Sequence, residues 1–157
     1  MLFTLYTSSA VNEVKKMLQN HKDYAPENIC EADDEEYFSD ISGEGSSHSS
    51  SYIMQKENGD VVCFLTMQKS YSERFSNCWH ITSLFVSEEV DASTVVFILF
   101  QELKKIFGDN ASIYVNVHPE ANEIKQFWES NDFLYSPEMS LYLNCNDVRL
   151  MAYSKRI

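Results

Sequence analysis

The stretch with the clearest chemical potential runs from residue 78 to residue 108, where an apolar strand passes through a short acidic loop into a helix. Residues 78–86 include Trp79, Ile81, Leu84, Phe85 and Val86, a β-branched and aromatic set suited to a central strand. Residues 87–91 break that pattern with Ser87, Glu88, Glu89 and Asp91. From Ala92 onward Val95, Val96, Leu99, Leu103, Ile106 and Phe107 recur at helical spacing, and Phe97, Ile98 and Phe100 widen the apolar stripe. Lys104 and Lys105 suit the negative end of the helix dipole, and Gly108 supplies the stop. A strand leading into a helix N-terminus points unpaired N–H groups at the loop, so this is a candidate anion site. The loop nevertheless has no glycine and carries three carboxylates, which oppose a bound anion. Other chemistries find less support. The four cysteines, Cys30, Cys63, Cys78 and Cys145, are scattered without a CxxC pair, which fits reduced core thiols rather than a zinc site. There is no Gly-x-Ser-x-Gly elbow, no Walker loop, no dinucleotide fingerprint and no His-rich cluster.

The elements that must position this stretch follow from patterning. Residues 2–7 read as a short strand, and Ser8 or Ser9 can cap a helix over 10–21 with Val11, Val14, Met17 and Leu18 on one face. Pro26 ends that element. A short helix is expected around 33–38, and residues 42–51, rich in Gly and Ser, read as a flexible stretch. The Asn-Gly pair within 56–60 predicts a hairpin between strands 52–55 and 61–68. Residues 69–77 form a polar connection. After Gly108, residues 112–117 alternate as a strand, and Pro119 with Glu120 opens a helix whose face is Ile124, Phe127 and Trp128. Residues 133–135 and 139–145 are extended, and 149–153 forms a last strand. The expected order is β–α–loop–β–β–β–α–β–α–β–β, a mixed α/β pattern in one domain spanning 1–157, with an acidic and Ser-rich variable segment at 27–51.

Charge narrows the partners. The 157 residues carry a formal net charge of −12, which argues against direct binding to a nucleic-acid backbone or an anionic membrane. Between residues 27 and 44 there are eight acids and no Lys or Arg, so this segment alone can present negative charge to a basic protein partner. No run of about 18 apolar residues is present, and the N-terminus lacks a basic leader, so a cytoplasmic location is expected. The sequence sets no oligomeric state.

The order of elements, with three local patterns, resembles the GNAT superfamily of N-acetyltransferases. Ser83–Val86, SLFV, is similar to the family's central strand, residues 92–103 to the helix whose N-terminus holds the coenzyme A pyrophosphate, and residues 127–133, FWESNDF, to the family's Phe/Leu-Tyr-Glu-Lys-x-Gly-Phe segment. The resemblance implies a mixed central sheet flanked by helices, acetyl-CoA as cofactor and an amine as acceptor. It places the cofactor against Phe85, Val86, Ser93, Thr94 and Val95, with a backbone N–H near Phe85 or Val86 polarising the thioester carbonyl. The bases it offers are His80, Glu88 and His118, and Tyr135 or Tyr142 would be the acid. The chain departs from the family pattern at informative places. The family's Gln/Arg-x-x-Gly-x-Gly/Ala loop falls on Asp91, Thr94 and Val96, its Tyr acid on Trp128, and its Gly on Asp132. The departures motivate the alternative of a GNAT-fold acidic binding protein that inhibits or regulates a basic partner. A further pattern, His80-Ile81-Thr82, is similar to the strand motif of two-histidine phosphoesterases, but its only counterpart is His48-Ser49-Ser50 in the Ser-rich stretch.

Overall fold

The computed structural model describes residues 1–26, 49–69, 77–139 and 149–157. The expected helix at 33–38, most of the Ser-rich stretch, Tyr142, His48 and nearly all of the extended run at 139–145 lie outside these residues. Eight strands form one sheet: β1 (Leu2–Leu5), β2 (His21–Asp23), β3 (Ser49–Gln55), β4 (Val61–Lys69), β5 (Cys78–Ser87), β6 (Ser112–Val117), β7 (Leu134–Tyr135) and β8 (Met151–Arg156). Their order is β1-β3-β4-β5-β6-β8-β7, with β2 paired to β5. Only β5 and β6 run parallel, joined by the crossover helix α2 (Ala92–Phe107); every other described pairing is antiparallel. Helix α1 is Val11–Met17 and α3 is Asn122–Ser130.

The two larger cores among the described residues sandwich the sheet. On one face α2 and α3 bury Val95, Val96, Leu99, Phe100, Leu103, Ile124 and Trp128 against Leu84, Val86, Ile113 and Val115. On the other, α1 buries Val14, Met17 and Leu18 against Ile53, Val61, Phe64 and Phe85. The side chains of β5 therefore divide between the faces, as a strand buried on both sides requires. The expected hairpin is present, with the turn closed by Gly59 N–H on Lys56 O at 2.9 Å and Gly59 at φ 93°.

Three expectations need correcting. The first helix stops at Met17 rather than His21, because His21 belongs to β2 and its Nδ1 meets Leu18 O at 2.8 Å, satisfying a carbonyl at the helix end. No side chain caps this helix; Ser8–Ala10 form a 3-10 turn ahead of it. Second, Ser49–Ser51 are not part of a flexible stretch. They pair with Gln68, Met67 and Thr66, and Ser51 Oγ meets Thr66 Oγ1 at 3.0 Å, so a cross-strand hydroxyl pair compensates for the lack of apolar side chains. Third, the last strand continues to Arg156, and the helix opened by Pro119 begins only at Asn122.

Candidate functional site

The site is set by a bulge. Strand β4 pairs with β5 through Thr66↔Ser83 and then Met67↔Ile81, leaving Thr82 as the extra residue, with its Oγ1 donating to Thr66 O at 3.2 Å. A bulge bends its strand and raises the local twist. On the far edge, β5 pairs with β6 only from Cys78 to Ile81, and beyond Thr82 the two parallel strands separate. A slot opens there between the second half of β5, the start of α2 and helix α3. The resemblance places the acetyl-carrying end of coenzyme A in this slot.

The N-terminus of α2 already holds an anion. The Asp91 carboxylate accepts from Thr94 N–H at 2.9 Å and from Thr94 Oγ1 at 2.6 Å. These bonds hold its carboxyl below the ordinary value near 3.8, the side-chain bond contributing most. Asp91 and Thr94 are two of the positions where the family's loop offers Gln or Arg and Gly, and here they bond to each other. Ser93 Oγ accepts from Asn131 at 3.4 Å, and Val95 is buried in the core with its N–H on Asp91 O at 3.1 Å.

The edge of β5 inside the slot is also taken. Strand β2 lies on it in the register His21↔Ser87, Lys22↔Val86 and Asp23↔Phe85. Glu88 N–H donates to Asn20 O at 3.0 Å, and Tyr24 N–H donates to Leu84 O at 2.8 Å. Bonded pairs alternate along an antiparallel ladder, so Lys22 and Val86 fall at an exchanging position between them. Phe85 is paired to Phe64 on its other side. The N–H groups of both residues expected to polarise a thioester are thus committed to the sheet.

Helix α3 closes the other wall over this segment. Trp128 Nε1–H donates to Tyr24 O at 2.7 Å, and the Tyr24 and Phe127 rings lie 4.2 Å apart. Lys22 Nζ reaches Glu123 at 3.2 Å, and Ala25 N–H turns back onto Asp23 Oδ1 at 2.9 Å. Burial raises the Tyr24 phenol above its ordinary value; Lys22 opposes that shift, while Glu123, Asp91 and Glu88 add to it. Tyr24 links the edge of β5, through Leu84, to α3, through Trp128.

Coenzyme A needs a clear path for its pantetheine arm from the N-terminus of α2 to the N–H groups of Phe85 and Val86. In this structure residues 20–24 fill that path, and the loop above it carries Glu88, Glu89 and Asp91 in place of diphosphate ligands. The residues present do not fit the cofactor with the segment in place.

The expected catalytic residues do not converge. His80 lies at the closed end of the slot and Glu88 at its exit, eight residues apart along extended chain, about 25 Å. Tyr135 is on β7 at the sheet's edge, with β6 and β8 between it and β5, and its ring stands 5.9 Å from Tyr153. What the structure does bring together is a group on the sheet. The His80 ring stacks on Tyr114 at 4.6 Å and its Nε2 meets Asn116 Nδ2 at 3.3 Å, and Asn116 Oδ1 is buried without a hydrogen-bond partner among the described residues. His118 is buried, and its Nδ1 accepts from Glu120 N–H at 3.1 Å, which leaves the proton of the neutral ring on Nε2. Sequence reasoning missed Asn116, and it missed Lys22 and Tyr24. The only signal for the latter two is the His-Lys-Asp-Tyr run before Pro26, too short to show a period.

One detail supports the alignment of residues 127–133. Asp132 stands where the family keeps glycine and has φ 68°, a left-handed conformation that glycine adopts freely and Asp tolerates. Among the described residues no cluster of His, Cys, Asp or Glu can hold a metal ion, and no helix is long and apolar enough to cross a membrane.

No protein-family model matches the chain, and no curated protein matches it by sequence. Solved structures match its shape. The ribosomal-protein-S18-alanine N-acetyltransferase from Escherichia coli superposes with a TM-score of 0.64 at 10% identity, covering 99% of this chain and 93% of that one. A spermidine N-acetyltransferase from Vibrio cholerae gives 0.65 at 9% identity, with coverage of 99% and 95%. A GCN5-related N-acetyltransferase from Kribbella flavida gives 0.62 at 14% identity, with coverage of 99% and 97%. Likeness at such low identity establishes the fold.

Proposed function

We propose, from a chain that has the GNAT fold, that it acts by binding rather than by turning over acetyl-CoA, presenting its acidic surface to a basic protein partner. The observation that carries this reading is the Asp91 carboxylate at the N-terminus of α2, bonded to Thr94 and flanked by Glu88 and Glu89. Asp91 takes the Thr94 N–H and sets a negative charge at this helix end, and the like charges beside it add a repulsion to a diphosphate. The net charge of −12, and the eight acids that the sequence carries between residues 27 and 44, favour a Lys- or Arg-rich partner. Calorimetric titration with CoA and acetyl-CoA tests this directly. No heat is expected up to millimolar cofactor; micromolar binding by the unaltered protein overturns the reading. In parallel, an arginine-rich peptide should bind with an affinity that falls as salt rises, and Asp33→Asn, Asp34→Asn, Glu35→Gln and Glu36→Gln together should weaken it.

One observation favours a second reading, N-acetyl transfer from acetyl-CoA to an amine. Beside the start of α2 lies a groove of about 640 Å³ whose lining includes Ser93, Thr94, Phe97, Lys104, Lys155 and Arg156. It gathers three cations and an exposed aromatic ring in an acidic molecule, next to the helix end where the resemblance places the pyrophosphate. Acetyl transfer to spermidine or to an N-terminal alanine peptide, followed by thiol release, would establish that reading.

A further inference from the structure

We infer that the outer edge of β1 is a self-association surface, on which a second copy of this chain adds its own β1 antiparallel about a two-fold axis and joins the two sheets. Strand β1 stands at the end of the sheet and pairs with β3 alone among the described strands. Tyr6 N–H donates to Ser51 O at 2.9 Å, one step beyond the paired residues Leu5 and Tyr52. Bonded residues alternate along an antiparallel ladder, so the peptide groups of Leu2, Thr4 and Tyr6 face β3 and those of Phe3 and Leu5 face outward.

An open edge is ordinarily guarded by charged side chains, proline or a bulge. Strand β1 has none of these. The first charged side chain in the sequence is Glu13 and the first proline is Pro26, and the pairing of β1 with β3 runs without a shift in register. Strand β3 carries no charged side chain either. Leu2 and Leu5 are exposed at 59% and 58%. The apolar row continues outward from the main core. Phe3 packs against that core and stacks on the buried Tyr52 at 5.0 Å, and Leu5, opposite Tyr52, carries the row into solvent.

Charge selects the occupant. A Lys- or Arg-rich segment finds no carboxylate on β1 or β3 to pair with, whereas two molecules of net charge −12 repel each other least where neither presents a charged side chain. The edge is also complementary to itself. With Thr4 on the axis, Phe3 of each copy lies opposite Leu5 of the other, and both pairs fall at exchanging positions. Opposite residues share a face, so each exposed Leu5 packs beside a Phe3 of the other copy. A contact this short belongs with weak, concentration-dependent interfaces.

Light scattering and sedimentation of the full chain test the pairing. The mass should rise from 18.2 kDa toward twice that between micromolar and millimolar concentration, and the rise should be larger as salt is added up to about 0.15 M, because like charges are screened. Hydrogen exchange at the Phe3 and Leu5 amides should slow over the same range, while the Thr4 and Tyr6 amides, bonded to β3, stay protected throughout. Leu5→Pro removes one outward donor from each exchanging pair and none that serves β3, and should raise the dissociation constant at least about tenfold. Leu5→Lys puts an ammonium group into the apolar contact, with the same expected effect. If Leu5→Pro fails to fold, judged by near-ultraviolet circular dichroism, Leu5→Lys decides. A chain that stays monomeric at millimolar concentration, or a dimer that the folded variants leave unchanged, overturns the inference. Association that weakens as salt is added means opposite charges in contact and overturns it too. Protection of the Phe3 and Leu5 amides that requires an arginine-rich peptide overturns it in favour of strand addition by a basic partner.

Discussion

At the scale of single residues, side chains that depart from the family pattern have structural roles. Asp91 is a helix cap. Replacing it with Ala should lower the melting temperature by a few degrees, because two bonds to Thr94 are lost. Its carboxyl is depressed below about 3.8, so its stabilisation is complete above that pH and disappears as pH falls through the lowered value. An acid titration of stability should therefore flatten at its low end in Asp91→Ala relative to the parent. Trp128 is fully buried, and Trp128→Phe keeps most of its packing while leaving Tyr24 O without its donor. A loss of about 1–2 kcal/mol in denaturant unfolding is expected. Cys63 and Cys78 are buried thiols whose ionisation is pushed up to about 12 and about 11 by burial. At pH 8 both should resist a thiol reagent in the native protein and react on unfolding, as only the thiolate is nucleophilic.

Among the elements, β5 and α2 were legible because each carries a long, strong pattern. Nine apolar positions between Val95 and Phe107 define α2, and Gly108 ends it at φ 78°. Gly108→Ala should cost about 1–3 kcal/mol in thermal unfolding, since φ 78° with ψ −175° is a conformation open essentially to glycine alone. The hairpin was equally legible from its Asn-Gly pair. Strand β2 was not, because three residues carry no measurable alternation and its partner lies more than 60 positions away in sequence. The shorter first helix follows from the same cause, since the residues that would have extended it are drawn into the sheet. Ser49–Ser51 were misjudged by composition, as serine lowers apolar content without preventing a strand when a cross-strand hydroxyl partner is available.

For the whole molecule, the sheet has an uneven division of labour. Helices α2 and α3 cover one face, α1 covers part of the other, and the two cores are separated by strands buried on both sides. Phe97, exposed at 64%, lines the groove together with Lys104, Lys155 and Arg156. The net charge of −12 repels itself in the compact state, so the melting temperature should rise as salt is added from low ionic strength to about 0.15 M. A melting temperature that falls over that range would mean that attractive pairs such as Lys22–Glu123 outweigh the repulsion.

The amino-acid order alone determined the succession of elements, the acidic loop at Glu88, Glu89 and Asp91, and the likeness to the GNAT pattern, because each depends on neighbours in sequence and on periodicities of two or 3.6 residues. Only the tertiary structure decided what fills the slot and where the candidate bases stand. The pairing of β2 with β5, the Trp128–Tyr24 bond, the His80–Asn116 contact and the separation of Glu88 from His80 join or divide residues through a bulge at Thr82 and pairings between distant strands. Such contacts carry no local signature, because the hydrogen bonds and packing that make them exist only once the sheet has assembled.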